Sequence, residues 1–243
     1  MSNAKVREQV MGKQLKAIIF DVDGTLADTE QYGHLPACND AMKDLGFDKE
    51  WSWPRFIKMI HEIPGNANRF AHELNRQGYH QNEIDHLAKQ FAKIKQDIYI
   101  KKYLPELELR PGVENILQEA VARKIPLGIV STSHEPQIHA LLANQLEKFH
   151  ELFKVVMGKE SGRKTENGGY LYSKCLEKLE LQPENVLVIE DSEPGLEAAI
   201  CANIPTAVFY NDYTFGSAFK GARLVAPDLS TFSLKSLEKI CLN

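Results

Sequence analysis

Short blocks of four or five consecutive apolar residues alternate with longer amphipathic stretches along most of this chain. Ala17-Ile18-Ile19-Phe20 is one such block. It predicts a buried strand over about 16–20 that gives way to two aspartates and a glycine, Asp21-Val22-Asp23-Gly24. Further strands are expected at 127–130, 153–157, 186–189 and 206–210. Helices are expected between them near 113–124, 136–149, 169–180 and 194–203, with a last one near 233–241. Alternation of this kind implies an α/β fold: a Rossmann-like, mostly parallel sheet with right-handed crossovers and helices on both faces. Ligands of such sheets bind at the carboxyl ends of the strands, which is where Asp21 falls.

One stretch breaks the alternation. From about His34 to Tyr103 the pattern is helical throughout, in segments 34–46, 53–63, 66–78 and 82–102. They are separated by Gly46, the Trp51-Ser52-Trp53-Pro54 corner, Ile63-Pro64-Gly65 and Gly78. In the last segment Ile84, Leu87, Phe91, Ile94 and Ile98 form a single apolar stripe. The expected organisation is a polar tail over 1–14, a core from 15–30 and 105–243, and an all-helical insert over 31–104. Inserted after the first strand, this block is expected to sit over the catalytic loop as a cap.

Composition narrows the function classes. The chain has 243 residues, enough for a core plus a small accessory domain, and 43% hydrophobic with 26% charged residues is ordinary for a soluble globular protein. A net charge of −4 leaves no footprint for nucleic acid or an anionic membrane. No apolar run approaches a membrane span, and the first fourteen residues lack the apolar region of a signal peptide. Cys38, Cys175, Cys201 and Cys241 are widely spaced and form no zinc or redox motif, which fits a reducing cytoplasm. A monomer acting on a small molecule is expected.

Three strand ends carry chemistry. A carboxylate at the position of Asp21 can attack a phosphoryl group, and Asp23, two residues on, can move the proton of the leaving oxygen; the bland alternative is an Asp-Gly turn. Ser131, Thr132 and Ser133 place hydroxyls past the second core strand, where they can hold phosphoryl oxygens or start the next helix. Glu190-Asp191 ends another apolar strand in carboxylates, suited to a hard divalent cation or to the N-terminus of the helix that Pro194 opens.

Asp21-x-Asp23-Gly24-Thr25-Leu26-x-Asp28-Thr29-Glu30 resembles the first motif of the haloacid dehalogenase-superfamily phosphatases. The resemblance implies that Asp21 is the nucleophile and Asp23 the general acid/base, with Mg²⁺ as cofactor. It assigns Ser131 to the phosphate-binding second motif, with Ser133 left to cap the next helix. Glu190-Asp191-Ser192-x-x-Gly195 matches the fourth motif, so Asp21, Asp23, Glu190 and Asp191 are the implied metal set. The third motif usually carries Lys-Pro-x-Pro about six residues before a Tyr. Here Lys164 and Tyr170 keep that spacing but both prolines are gone, which predicts a more mobile loop; Lys159 and Arg163 are the other cations in reach of the role.

The insert resembles that of CbbY-type sugar-phosphate phosphatases. Asp28-Thr29 is followed by four residues before His34, where β-phosphoglucomutases have three, and Pro64-Gly65-Asn66-Ala67-Asn68-Arg69 stands where the family has Gly-Gly-Lys-x-Arg. The implied substrate is a small phosphorylated sugar, in that family xylulose 1,5-bisphosphate. Glu30, Ser131, Thr132 and Arg69 would contact it, Arg69 by a bidentate grip on the distal phosphate. His34 would contact it or orient the hinge. A phosphosugar mutase and a non-catalytic sugar-phosphate-binding protein are the other two readings of the same motifs.

Overall fold

The computed structural model describes residues 14–165 and 168–243. The expected polar tail before Gln14, and Glu166-Asn167 in the third motif, lie outside the described residues. The chain clusters into two compact units, one running up to Ala27 and resuming over Glu108–Asn243, the other Asp28–Leu107.

The first unit is built on a six-stranded sheet. The strands are β1 (Ala17–Phe20), β2 (Leu127–Val130), β3 (Phe153–Met157), β4 (Val186–Glu190), β5 (Thr206–Phe209) and β6 (Leu224–Ala226). Their order is β3-β2-β1-β4-β5-β6 and every pair is parallel. Burial explains why the inner strands are apolar but for Glu190 and Thr206 at strand ends: β1, β2, β4 and β5 are covered on both faces, whereas β3 and β6 at the edges are partly exposed. Ala17 and Ile19 pack with Leu171, Tyr172, Cys175 and Leu176 of the Tyr170–Leu179 helix. The chain leaves β1 toward β2 and β3, then crosses back to β4, so the strand order reverses between β1 and β4. A crevice beyond the carboxyl ends of the strands is expected at that reversal.

Two departures from expectation are local. Strand β6 was not anticipated, because it is three residues long, lies on an edge and leaves Val225 exposed, so no sustained apolar run marks it. The helix expected over 136–149 spans Glu135–Gln145, and a 3₁₀ turn, Glu147–Leu152, takes over. Near its end Asn144 bonds the Ala140 carbonyl through its own side chain, the local competition that makes Asn a poor helix interior residue.

Arg110 ties the sheet to the loop after β1. Its buried guanidinium donates to the carbonyl oxygens of Gly24, Phe209 (2.7 Å), Tyr210 (2.8 Å) and Pro227 (2.8 Å). Arg110→Met keeps the apolar stem and orphans these acceptors. We expect it to lower stability by about 3–5 kcal/mol in urea unfolding, several charge-assisted bonds at once; a loss under 1 kcal/mol would contradict this role.

The second unit is helical throughout. Its α-helices are Leu35–Asp44, Trp53–Glu62, Asn66–Arg76 and Gln81–Ile98, close to the four expected segments. Trp51, Phe56, Phe70, Leu74, Ile84 and Phe91 form its centre, and Leu87, Ile94 and Ile98 of the predicted stripe pack against it. Trp51 is held by both ends of one amide: Asn39 donates to its carbonyl (3.0 Å) and accepts from its N–H (2.8 Å). The segment between Thr29 and the first α-helix is a π-turn, Glu30–His34. Such a turn spends one residue more than an α-turn.

None of the helices described is long and apolar enough to cross a membrane. All four cysteines are free; Cys38, Cys175 and Cys241 are buried and Cys201 is exposed.

Candidate active site

The carboxyl ends of β1 and β4 bring three carboxylates together. Asp21, Glu190 and Asp191 are all buried, and each offers an oxygen within 4.8 Å of the other two. Backbone pairing sets the register, since the Asp21 N–H donates to the Ile189 carbonyl (3.0 Å) one residue before Glu190. Among the described residues a single lysine answers this charge. Lys164, 3% exposed, donates to Asp21 Oδ1 (2.5 Å) and to Glu190 Oε1.

The two acidic strand ends are held differently. Glu190 Oε1 also accepts from Tyr172 (3.2 Å), and its Oε2 accepts from the N–H groups of Asp191 (3.0 Å) and Ser192 (3.1 Å) and from the Ser192 hydroxyl. Burial alone would raise its carboxyl, but Lys164 and these donors bring it below the usual range. Glu190 is thus an ionised anchor for Lys164 with both oxygens occupied. Asp191 accepts from Asn211 Nδ2 (2.7 Å), Tyr213 Oη (3.2 Å) and Thr25 Oγ1 (3.4 Å). Burial first, then the charges of Glu190 and Asp21, push it well above the ordinary carboxylate range. Asp21 is pushed up to about 7 by burial, Lys164 opposing and Glu190 and Asp23 adding to the rise.

Gly24 is what lets these groups converge. Its φ is +80°, and a Cβ there would lie 2.1 Å from Tyr213 Oη, 2.5 Å from Asp191 Oδ2 and 2.6 Å from Asn211 Nδ2. No other residue type fits both the turn and the space.

Asp23 lies outside the three-carboxylate group; its side chain accepts a hydrogen bond from Ser133 Oγ. As a carboxylate ligand beside Asp21 it is therefore not placed with the others. Ser133 is not the cap of the next helix either: that position falls to His134, and the Ser133 hydroxyl is spent on Asp23. Ser131, fully buried, accepts from the Ser133 N–H (3.1 Å), and Thr132 is exposed. Of the three cations considered for the third motif, Lys164 alone is buried; Lys159 and Arg163 are exposed.

In the helical unit, Arg69 is buried rather than solvated. It donates from Nε to the carbonyls of Ile63 (2.9 Å) and Met59 (3.3 Å), from Nη1 to Asn66 Oδ1 (2.5 Å), and lies over the Phe56 ring. Buried His34 contacts Lys95 Nζ through Nδ1 (2.7 Å) and packs on Tyr99. Glu30 Oε2 is buried with no hydrogen-bond partner among the described residues.

Asn211, Tyr213 and Tyr172 were not among the expected site residues. Asn211-Asp212-Tyr213-Thr214 shares in the resemblance to CbbY-type phosphatases, which gives neither residue a role; both follow the end of β5, the same rim as the carboxylates.

A hydrolase family model described as haloacid dehalogenase-like hydrolase matches residues 15–203, and the chain belongs to that family. It is an enzyme class, built on the sheet and strand-end acids described above. Among relatives, the plasmid-borne protein CbbY of Cupriavidus necator is 32% identical over 227 residues, covering 88% of this chain and 86% of its own. Among solved structures, CbbY from Rhodobacter sphaeroides in complex with phosphate superposes with a TM-score of 0.77 at 27% identity, covering 93% of this chain and 100% of that one. A variant of the same protein was solved with xylulose 1,5-bisphosphate; its TM-score is 0.77 at 27% identity, over 92% and 99% of the two chains.

The donor set fits a divalent cation of the kind this family generally uses. Two of the three grouped carboxylates are raised by burial and mutual repulsion, and Lys164 is the one cation bonded to the group among the described residues. A hard cation held by Asp21 and Asp191 would relieve that repulsion. Binding must then displace the proton that Asp21 keeps below about pH 7. We expect the apparent Mg²⁺ affinity to fall by at least about tenfold per pH unit below 7, one proton or more being released on binding because Asp191 is raised as well. Calorimetry in two buffers of different ionisation enthalpy measures that release, and no proton uptake by buffer at pH 6 would contradict it.

Proposed function

We propose that the chain is a Mg²⁺-dependent phosphatase that removes phosphate from a small phosphorylated sugar through an aspartyl-phosphate on Asp21. The observation that carries this reading is the meeting of Asp21 with Lys164 and Asp191 at the carboxyl ends of adjacent strands, with Asp23 held by Ser133 two residues along.

In the first step an Asp21 oxygen bonds to phosphorus as the bond from phosphorus to the sugar oxygen breaks, and that oxygen takes the proton of Asp23. The Lys164 ammonium beside Asp21 offsets negative charge on the phosphoryl oxygens, and Ser131 with backbone N–H groups of its loop holds them. In the second step Asp23, now a carboxylate, takes a proton from water. The water oxygen bonds to phosphorus, the bond to Asp21 breaks, and phosphate leaves. Mg²⁺ held by Asp21 and Asp191 would supply charge compensation for the phosphate and fix its orientation.

Substrate choice rests on the residues that the family resemblance assigns to it and on relatives. Glu30 carries a buried acceptor oxygen that suits a sugar hydroxyl. Arg69 is the candidate for a second phosphate, His34 for the sugar and Thr132 for the transferred phosphate. Xylulose 1,5-bisphosphate, which the R. sphaeroides relative binds, is the first substrate to try.

Phosphate release from a panel of sugar mono- and bisphosphates, in Mg²⁺ and in EDTA, tests this. Mg²⁺-dependent release, with a pentulose bisphosphate among the best substrates, is expected. An isomerised sugar phosphate without net phosphate release would make the enzyme a mutase, and tight binding with no product of either kind would make it a binding protein.

A further inference from the structure

No proline stands next to Lys164 to stiffen the chain there, yet its side chain is only 3% exposed. The stretch 158–161 that leads into it is held by a double brace to the segment that carries Ser131 and Ser133. Glu135 Oε1 accepts from the Gly158 N–H (3.1 Å) and from Ser161 Oγ (2.6 Å). In the other direction Glu160 Oε2 accepts from the Glu135 N–H (2.8 Å), and its Oε1 meets His134 Nδ1 (2.6 Å). The Lys159 N–H donates to the Ser133 carbonyl (2.8 Å) between them. Each glutamate thus reaches across to a backbone N–H of the other's segment.

The two backbones touch closely enough to require glycine at the crossing. A Cβ on Gly158 would lie 2.6 Å from the Ser133 carbonyl oxygen and 2.7 Å from Glu135 Cγ. The brace ends at Ser161, three residues before Lys164, and on the other side begins at Ser133, whose hydroxyl holds Asp23. It therefore joins the lysine that bonds the nucleophile to the serine that orients the proton carrier.

We propose that Glu135 and Glu160 are positioning residues for Lys164 and Asp23, a reciprocal carboxylate brace that ties segment 158–161, just before Lys164, to the phosphate-binding loop. Neither carboxylate is bonded to Asp21, Glu190 or Asp191; both act through backbone they hold. The consequence for turnover rests on the phosphatase reading, while the consequence for Lys164 does not.

Two readouts separate the cases. The first is the rate at which Lys164 is acetylated by an amine-reactive reagent, followed by peptide mass spectrometry, in the full chain. In Glu135→Ala and Glu160→Ala we expect Lys164 to react about tenfold faster than in the unsubstituted protein, with Lys154, away from the brace, unchanged. Glu135→Gln keeps both acceptor bonds and is expected to protect Lys164 as the parent does. The second is phosphate release, where kcat is expected to fall about tenfold or more in both Ala variants with KM within threefold, since misplacement of a group by about 1 Å can cost a hundredfold. Glu135→Gln should stay within threefold. Unchanged Lys164 protection in both Ala variants would overturn the proposal, as would equal losses in Glu135→Gln and Glu135→Ala. If Glu135→Ala does not fold, Glu160→Ala, at the more exposed end, decides alone. Absence of phosphate release by the parent counts against the phosphatase reading and leaves the labelling result standing.

Discussion

Asp21→Asn is expected to lower kcat by at least about 10⁴-fold while the chain keeps its fold, because an amide cannot make the bond to phosphorus that a carboxylate makes. The substitution is nearly isosteric, and Asn Oδ1 remains available to accept from Lys164. It also removes one of three crowded carboxylates, so its effect on stability has a sign that depends on pH. The folded-state value of Asp21 lies above its unfolded value, at about 7 against 3.8. The native protein therefore binds more protons than the unfolded chain between those limits, and without metal its stability falls as pH rises from about 4 to 7. Asn does not titrate. In EDTA the variant should melt above the parent at pH 8, with the gap closing toward pH 4. A variant that retains turnover, or that melts below the parent at pH 8 in EDTA, would contradict the role given to this residue.

The second large effect belongs to Lys164. Lys164→Met keeps a chain of similar length but leaves Asp21, Glu190 and Asp191 buried together with no ammonium bonded to them. Breaking a buried ion pair from one side costs about 3–5 kcal/mol, which unfolding in EDTA should report. Loss of a charge aimed at the phosphoryl oxygens is expected to lower kcat by about 10²–10³-fold. With the lysine gone a divalent cation becomes the main answer to three carboxylates, so Mg²⁺ should restore more stability to the variant than to the parent. Lys159→Ala and Arg163→Ala serve as the comparison, both being exposed, and each should stay within about threefold of the parent rate. A larger loss in either than in Lys164→Met would move the third-motif role to that residue.

How much of this could be seen in the chain beforehand follows from how local each signal is. Strands β1, β2 and β4 were legible to within a residue because buried parallel strands are apolar along almost their whole length, and turn chemistry bounds them. The insert was legible from its stripe and its Pro and Gly breaks. The position of Asp21, Glu190 and Asp191 at strand ends followed from the same pattern once the strands were placed.

What was not legible depends on contacts between distant segments. Asn211 and Tyr213 meet Asp191 only because β5 lies beside β4, and Tyr172 meets Glu190 only because its helix packs on the sheet. Ser133 had the local look of a helix cap, and a tertiary acceptor, Asp23, took its hydroxyl instead. Arg110 gave no sign at all, since four carbonyls from three segments do not show in any spacing. The bonds between segment 158–161 and the helix start more than twenty residues upstream were equally invisible, since no spacing in the chain marks them.

The central claim is that phosphate passes through Asp21. Its most direct measurement is an acid quench of the enzyme during turnover of a sugar phosphate in Mg²⁺, followed by digestion and mass spectrometry of the peptide carrying Asp21. The account predicts one phosphoryl group on that residue, removed by hydroxylamine as an acyl phosphate is, and absent in Asp21→Asn. Steady turnover with the phosphoryl group on another residue, or with hydroxylamine failing to slow the enzyme and no adduct trapped at any time in the cycle, would contradict it.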